Sequence, residues 1–275
     1  MRQGRKQSDH YGTHQNSSQS SRILDLLYPI VAYFVCCQIV NLLIGILPMG
    51  GSIDAVKRQG IGSLLGLVGL YFGFAQPKAK ELSGEEHIFG KSVTRKTFIG
   101  MLAGICMLGC AGVGVNNLFA LTELKQLSDS YQNVEQAFYS SSLGWELLAL
   151  GVITPVAEEL LYRYILYYKL RRWQGITTAI IGSALIFGLI HMNIVQTLYA
   201  FILGLGLGIL MEYYGDVRVA MLGHMTANIL SLLRGETTLF SWLLPGQPAF
   251  LPVTCFLLLA AVALAIWHVR GFKKR

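Results

Sequence analysis

Glu158 and Glu159 stand side by side in an apolar stretch that runs from Leu143 to Leu170, and Arg163 follows Glu159 by four positions. Three ionised side chains at the centre of a bilayer cost about 7 to 10 kcal/mol before any pairing, so a cluster kept there is a candidate for chemistry. Glu159 and Arg163 share one face of a helix and can neutralise each other, whereas Glu158 lies about 100° around the axis. Glu158 therefore has no local cation of its own, as befits a carboxylate that accepts a proton from water. The bland alternative is a single buried salt bridge that fixes a helix contact. Two acids for one base leave a surplus carboxylate, and an unpaired buried charge is costly to keep for packing alone. Tyr162, four residues after Glu158, is within reach of a hydrogen bond to it.

Two imidazoles complete the set. His191 ends an apolar run four residues after Phe187, and His224 lies in another run with Asn228 four residues on. A lone histidine at the end of an apolar run is ordinarily an interfacial or packing residue. Two of them, with an amide and a carboxylate pair on neighbouring runs, argue against a chance arrangement.

Other hydrolytic chemistries lack their residues. There is no GxSG nucleophile, Ser183 has no glycine after it and no base in register, and Asp216 has no intramembrane aspartate to pair with. Cys36, Cys37, Cys106, Cys110 and Cys255 are odd in number, lie in apolar segments and form no CxxC, so they read as small apolar side chains. The Gly204, Gly206, Gly208 run lacks the strand and final spacing of a nucleotide fingerprint. Its small-xxx-small spacing, like that of Gly62, Gly66, Gly69 and Gly73, suits close helix packing.

The elements that must position these residues are membrane helices. Of 275 residues, 53% are hydrophobic and only 13% charged, with a mean hydropathy of +0.50, which sets the chain apart from a soluble domain. Apolar windows at 23–47, 60–76, 98–121, 143–169, 175–194, 195–213, 217–233 and 249–268 are each near the ~20 residues of a crossing. The expected fold is thus an all-α bundle of about eight transmembrane helices, with the boundary at Met192 to Gln196 the least marked. With the amino terminus in the cytoplasm, Lys169, Arg171, Arg172, Arg218, Arg270 and most other cations fall inside. Only Lys57, Arg58, Lys125 and Arg234 fall outside, so both termini are expected to be cytoplasmic. The cations sit at the ends of apolar runs, which excludes nucleic acid as a partner despite a formal charge of +7.

The chain divides into a polar cytoplasmic tail at 1–22, expected to be disordered, three peripheral helices with their loops at 23–142, a polar-cluster core at 143–233, and a last helix with a basic tail at 234–275. No cleavable signal precedes Ile23, so the first span is expected to direct insertion. Residues 122–142 read as an external loop.

The polar runs resemble a known family. Glu158 to Arg163 fits EExxxR, Phe187 to His191 fits FxxxH, and His224 to Asn228 fits HxxxN. Three ordered motifs of this kind are those of the CPBP family of CAAX-processing and bacteriocin-processing intramembrane proteases, and the resemblance covers about residues 143–233. It implies that Glu158 and His191 activate the attacking water, that His224 and Asn228 stabilise the oxyanion, and that Glu159 and Arg163 brace the helix. Tyr162 and Tyr164 stand where family members often carry Phe and Gly, which narrows the cavity or alters substrate choice.

The family is often labelled as metalloproteases. This chain has no HExxH, and although Glu158, His191 and His224 could ligate zinc, metal-independent activation of water is the preferred reading. The resulting expectation is an intramembrane endopeptidase of the bacterial plasma membrane, acting on a prenylated, leader or other membrane-associated peptide through a cavity open to the cytoplasm. The competing reading is a non-catalytic membrane protein, either a proton-coupled transporter or an immunity or scaffold protein that kept the fold. Transport predicts pseudo-symmetric halves with broken helices, and no such internal symmetry is seen.

Overall fold

The computed structural model describes residues 19–47, 51, 53–75 and 95–272. Most of the amino-terminal tail, Lys78, Lys80 and Lys91, and the last three residues lie outside the described residues. Every element described is helical: α1 Gln19–Ile46, α2 Ala55–Leu70 with a wide turn at Tyr71–Ala75, α3 Arg95–Ala120 and α4 Asp129–Phe138 come first. α5 spans Leu143–Gln174, followed by α6 Ile176–Leu189, α7 Ile194–Tyr214, α8 Val217–Glu236 and α9 Phe250–Phe272. The last four residues of the expected tail are already helical, because α1 begins at Gln19.

Each apolar window is a helix, and the chain is an integral membrane protein of helical build. Four helices are long and apolar enough to cross a membrane, at Arg22–Ile46, Phe98–Ala120, Ile194–Tyr214 and Phe250–Gly271. A fifth is added if α4 and α5, bent by 108° to one another, are taken as one broken span. The segment expected to be a plain external loop therefore contains a helix. Ser128 caps it by accepting from the Tyr131 amide at 3.3 Å.

α5 is the axis of the bundle, packed by α1, α2, α6, α7 and α8. It widens twice into π-helical turns, at Ala149–Ile153 and Leu160–Tyr167. The first has a covalent cause: Pro155 has no N–H to return to the Gly151 carbonyl, so the hydrogen-bond ladder loosens before it. All eight residues of the second, Arg163 among them, are buried, and wide turns of this kind are frequent at functional sites. Glu158 and Glu159 sit between the two.

α6 spans only 14 residues, ~21 Å of rise, which is short of the ~30 Å hydrocarbon thickness. Glycines of α7 let it fold back tightly on α6: a Cβ on Gly204 would lie 3.0 Å from Ala184 Cα, and one on Gly208 3.3 Å from Ile180 Cα. Gly62 and Gly66 likewise meet Cys37 and Tyr33 of α1, whereas Gly69 and Gly73 face open space. The packing role thus belongs to half of that glycine series. The cysteines are all free, with Cys37 buried and Cys106 and Cys255 exposed on the apolar exterior.

Candidate active site

Along α5, Glu158 and Glu159 take different surroundings, as their angular offset requires. Glu159 is wholly buried, its Oε2 is 3.3 Å from Arg163 Nε, and its Oε1 is 2.9 Å from Nδ1 of His224 on α8. The expected Glu159–Arg163 pair is present and carries a third member that sequence spacing did not indicate. Glu158 keeps 18% of its side chain exposed and has its Oε2 3.8 Å from Nε2 of the same His224. One imidazole therefore lies between the two carboxylates.

The hydrogen-bond partners fix both tautomers. A carboxylate and a carbonyl only accept, so Nδ1 of His224 carries the hydrogen toward Glu159, and Nδ1 of His191 carries it toward the Phe187 carbonyl 2.9 Å away. In the neutral rings Nε2 is left with a lone pair. His224 can donate from Nε2 to an oxyanion only as the imidazolium. Asn228 donates one amide hydrogen to the Leu150 carbonyl at 3.0 Å and retains a second. That carbonyl lies in the first wide turn of α5.

Phe187 joins the parts. Its ring lies 4.8 Å from the Arg163 guanidinium, and its edge contacts run to His191 at 5.3 Å and His224 at 5.5 Å. Sequence marks it only as the first residue of FxxxH, and its position as the shared wall of both histidines needed the fold. Tyr162 also packs on Phe187, at 5.0 Å. Its hydroxyl is buried without a hydrogen-bond partner, so the expected bond to Glu158 is not made.

His191 owes its place to a turn. α6 stops at Leu189, Met192 takes a left-handed φ of 56°, and Asn193 caps α7 through its Oδ1, which accepts from the Gln196 amide at 2.9 Å. The Asn193 side chain also donates to the His191 carbonyl at 3.1 Å. Asn193 is a positioning residue that the search for titratable groups missed; an Asn directly before an apolar helix start is the signal that reveals it.

Glu158, His191, His224 and Asn228 line one cavity of about 410 Å³, within the usual size range of ligand pockets. Thr154, one turn before Glu158, lines it as well and is bonded at 3.0 Å to Ser63, which accepts from Tyr33 at 3.1 Å. These bonds tie α1 and α2 to the stretch of α5 that carries Glu158. Glu159 and Arg163 are not in the lining. Away from the histidines the cavity is bounded by Lys125, Tyr131, Glu135 and Tyr139 of the 122–142 segment and by Arg234 and Gly235 at the end of α8. If the termini are cytoplasmic, that side is the exterior and not the cytoplasmic side expected for the opening.

A metal ion, as the metalloprotease label implies, finds no ready set of ligands. Glu158, His191 and His224 share the cavity, but among the described residues no group of three His, Cys, Asp or Glu is placed to hold one.

Residues 140–230 match the family model described as type II CAAX prenyl endopeptidase Rce1-like. This segment is similar to that family. The Rce1-like segment holds all six sequence-selected residues and runs from the start of α5 almost to the end of α8, so the resemblance to the CPBP proteases holds over the part of the chain that builds the cavity. No curated protein and no solved structure matches the chain.

Proposed function

We propose that the chain is an intramembrane endopeptidase that cleaves by direct attack of water. The observation that carries this reading is the convergence of Glu158 from α5, His191 from the α6–α7 turn, and His224 and Asn228 from α8 on one cavity inside the Rce1-like segment. Glu158 accepts a proton from water oriented by the His191 Nε2 lone pair, and the water oxygen bonds to the peptide carbonyl carbon as the carbonyl π pair moves to oxygen. The second amide hydrogen of Asn228 and the imidazolium form of His224 stabilise that oxyanion. Collapse restores the C=O and breaks the C–N bond, and the departing amine takes the proton held on Glu158. No metal enters this scheme.

All eight apolar helices belong to the membrane assembly in this reading, with residues 143–233 as the catalytic core and both termini in the cytoplasm. The cation asymmetry supports that orientation, and it turns the cavity mouth to the opposite face. Substrates then arrive from the non-cytoplasmic side, which favours leader or other exported membrane-associated peptides over a cytoplasmic prenylated terminus and suits a bacterial plasma membrane. A transporter or scaffold has no comparable use for an acid, two imidazoles and an amide around one enclosed space.

The decisive experiment compares the peptides released by cells carrying the wild-type chain and Glu158→Gln. One precursor accumulating uncleaved in the variant, at equal protein level, names the substrate; identical peptide profiles refute the protease reading. Tags at either terminus should resist protease added outside intact cells, and digestion of either one reverses the orientation.

A further inference from the structure

Ten residues beyond His224 on the same helix, Arg234 lines the outer part of the cavity. At 1.5 Å per residue it stands ~15 Å along α8 from the imidazole. Its Nε is buried with no acceptor, and no carboxylate among the described residues pairs with it. The nearby cation, Lys125, lies 3.8 Å from Glu135 and 5.4 Å from the Tyr131 ring. Glu135 itself accepts from the Tyr131 hydroxyl at 2.7 Å. The lining at this end thus holds two cations and one anion, the anion is already engaged, and the guanidinium has no ion-pair partner among the described residues.

We infer that Arg234, assisted by Lys125, forms an anion subsite that recognises a carboxylate of the peptide substrate. A guanidinium presents a planar fork of donors matched to a carboxylate, and a half-buried one whose Nε lacks an acceptor gains from a ligand that supplies the missing charge. An extended peptide advances ~3.3 Å per residue, so ~15 Å places the carboxylate about four to five residues from the bond at the histidines, and the reach of the Arg side chain widens that to three to six. The carboxylate is either a free carboxyl terminus or an Asp or Glu side chain at that distance. This assignment rests on the protease reading for its register, but the recognition itself is tested without turnover.

The test uses the full chain in detergent carrying Glu158→Gln, so that peptide stays intact. The probes are a dye-labelled apolar octapeptide with a free carboxyl terminus, the same peptide amidated, and the amidated peptide with one internal Asp. Either carboxylate-bearing probe should bind about tenfold or more tighter than the plain amide, as a charged hydrogen bond implies. The preference should vanish in Glu158→Gln/Arg234→Gln, survive in part in Glu158→Gln/Arg234→Lys, and weaken in Glu158→Gln/Lys125→Gln. The free-terminus and internal-Asp probes separate the two carboxylate sources. Equal binding of all three probes, or no binding of any, overturns the inference, and so does loss of the preference when phosphatidylglycerol is added, which gives the cation to a lipid headgroup. Failure of the protease reading shows separately, as absence of cleavage by the chain with Glu158 intact.

Discussion

Nδ1 of His224 lies 2.9 Å from Oε1 of Glu159, so the carboxylate that neutralises Arg163 also holds the ring of another helix. The motif reading assigns Glu159 to bracing alone and His224 to chemistry alone. In the fold they are one unit: the buried Glu159 sets the tautomer and plane of His224, whose other nitrogen is 3.8 Å from Glu158. An orienting carboxylate behind an imidazole is a recurring way to fix which nitrogen is free to react.

Glu159→Ala should lower stability by about 3–5 kcal/mol, because it strands a fully buried guanidinium. Arg163→Lys keeps the charge and should cost less, although an ammonium lacks the planar face now stacked on Phe187. Thermal unfolding in detergent reads the order. Wild-type melting temperatures for both variants would refute the bracing role.

His191→Ala should reduce turnover by about 10²–10⁴-fold, the usual contribution of a positioned acid or base, while leaving the melting temperature near wild type. Among the described residues the ring hydrogen-bonds to the Phe187 carbonyl of the adjoining α6, so little packing depends on it. Asn193→Ala leaves His191 in place chemically but frees the turn that carries it. Its expected signature is a lower kcat at unchanged KM, with a smaller loss than His191→Ala.

Asn228 has two tasks that a pair of substitutions separates. Asn228→Ala removes one neutral hydrogen bond to the Leu150 carbonyl, worth about 0.5–1.5 kcal/mol of stability, and should lower kcat by about 10²–10³-fold if the second amide hydrogen meets the oxyanion. Asn228→Gln retains a donor on a longer arm and should recover part of one effect only. A kcat unchanged in Asn228→Ala removes this residue from the oxyanion site.

Much of this arrangement is legible in the sequence because charge in hydrocarbon is so costly: Glu158, Glu159 and Arg163 announce themselves by residue type, and i, i+4 spacing yields the ion pair directly. His191, His224 and Asn228 are legible as ordered motifs. Three features are not. The wide turns in α5 leave no mark in the spacing, and only Pro155 hints at the first of them. The stop of α6 at Leu189 is hidden because no charge marks it and apolar residues continue into α7. The side on which the cavity opens depends on how α4 and the end of α8 close over it, a long-range relationship between segments 100 residues apart that no local spacing encodes.

The turn between α6 and α7 supplies a test whose sign separates packing from propensity. Gly188 is buried on α6, where replacing glycine by alanine ordinarily gains about 1 kcal/mol. A Cβ there would lie 2.7 Å from the Thr197 carbonyl oxygen and 3.2 Å from Phe201 Cβ, so the α7 backbone itself must retreat. Gly188→Ala should therefore destabilise the protein and, by moving the segment that carries His191, reduce activity by more than the lost stability alone explains. The control is Gly144→Ala near the start of α5, where no neighbour lies within 4 Å and the propensity gain should appear without loss of activity. If Gly188→Ala is instead stabilised and fully active, the close approach of α6 and α7 does not set the position of His191.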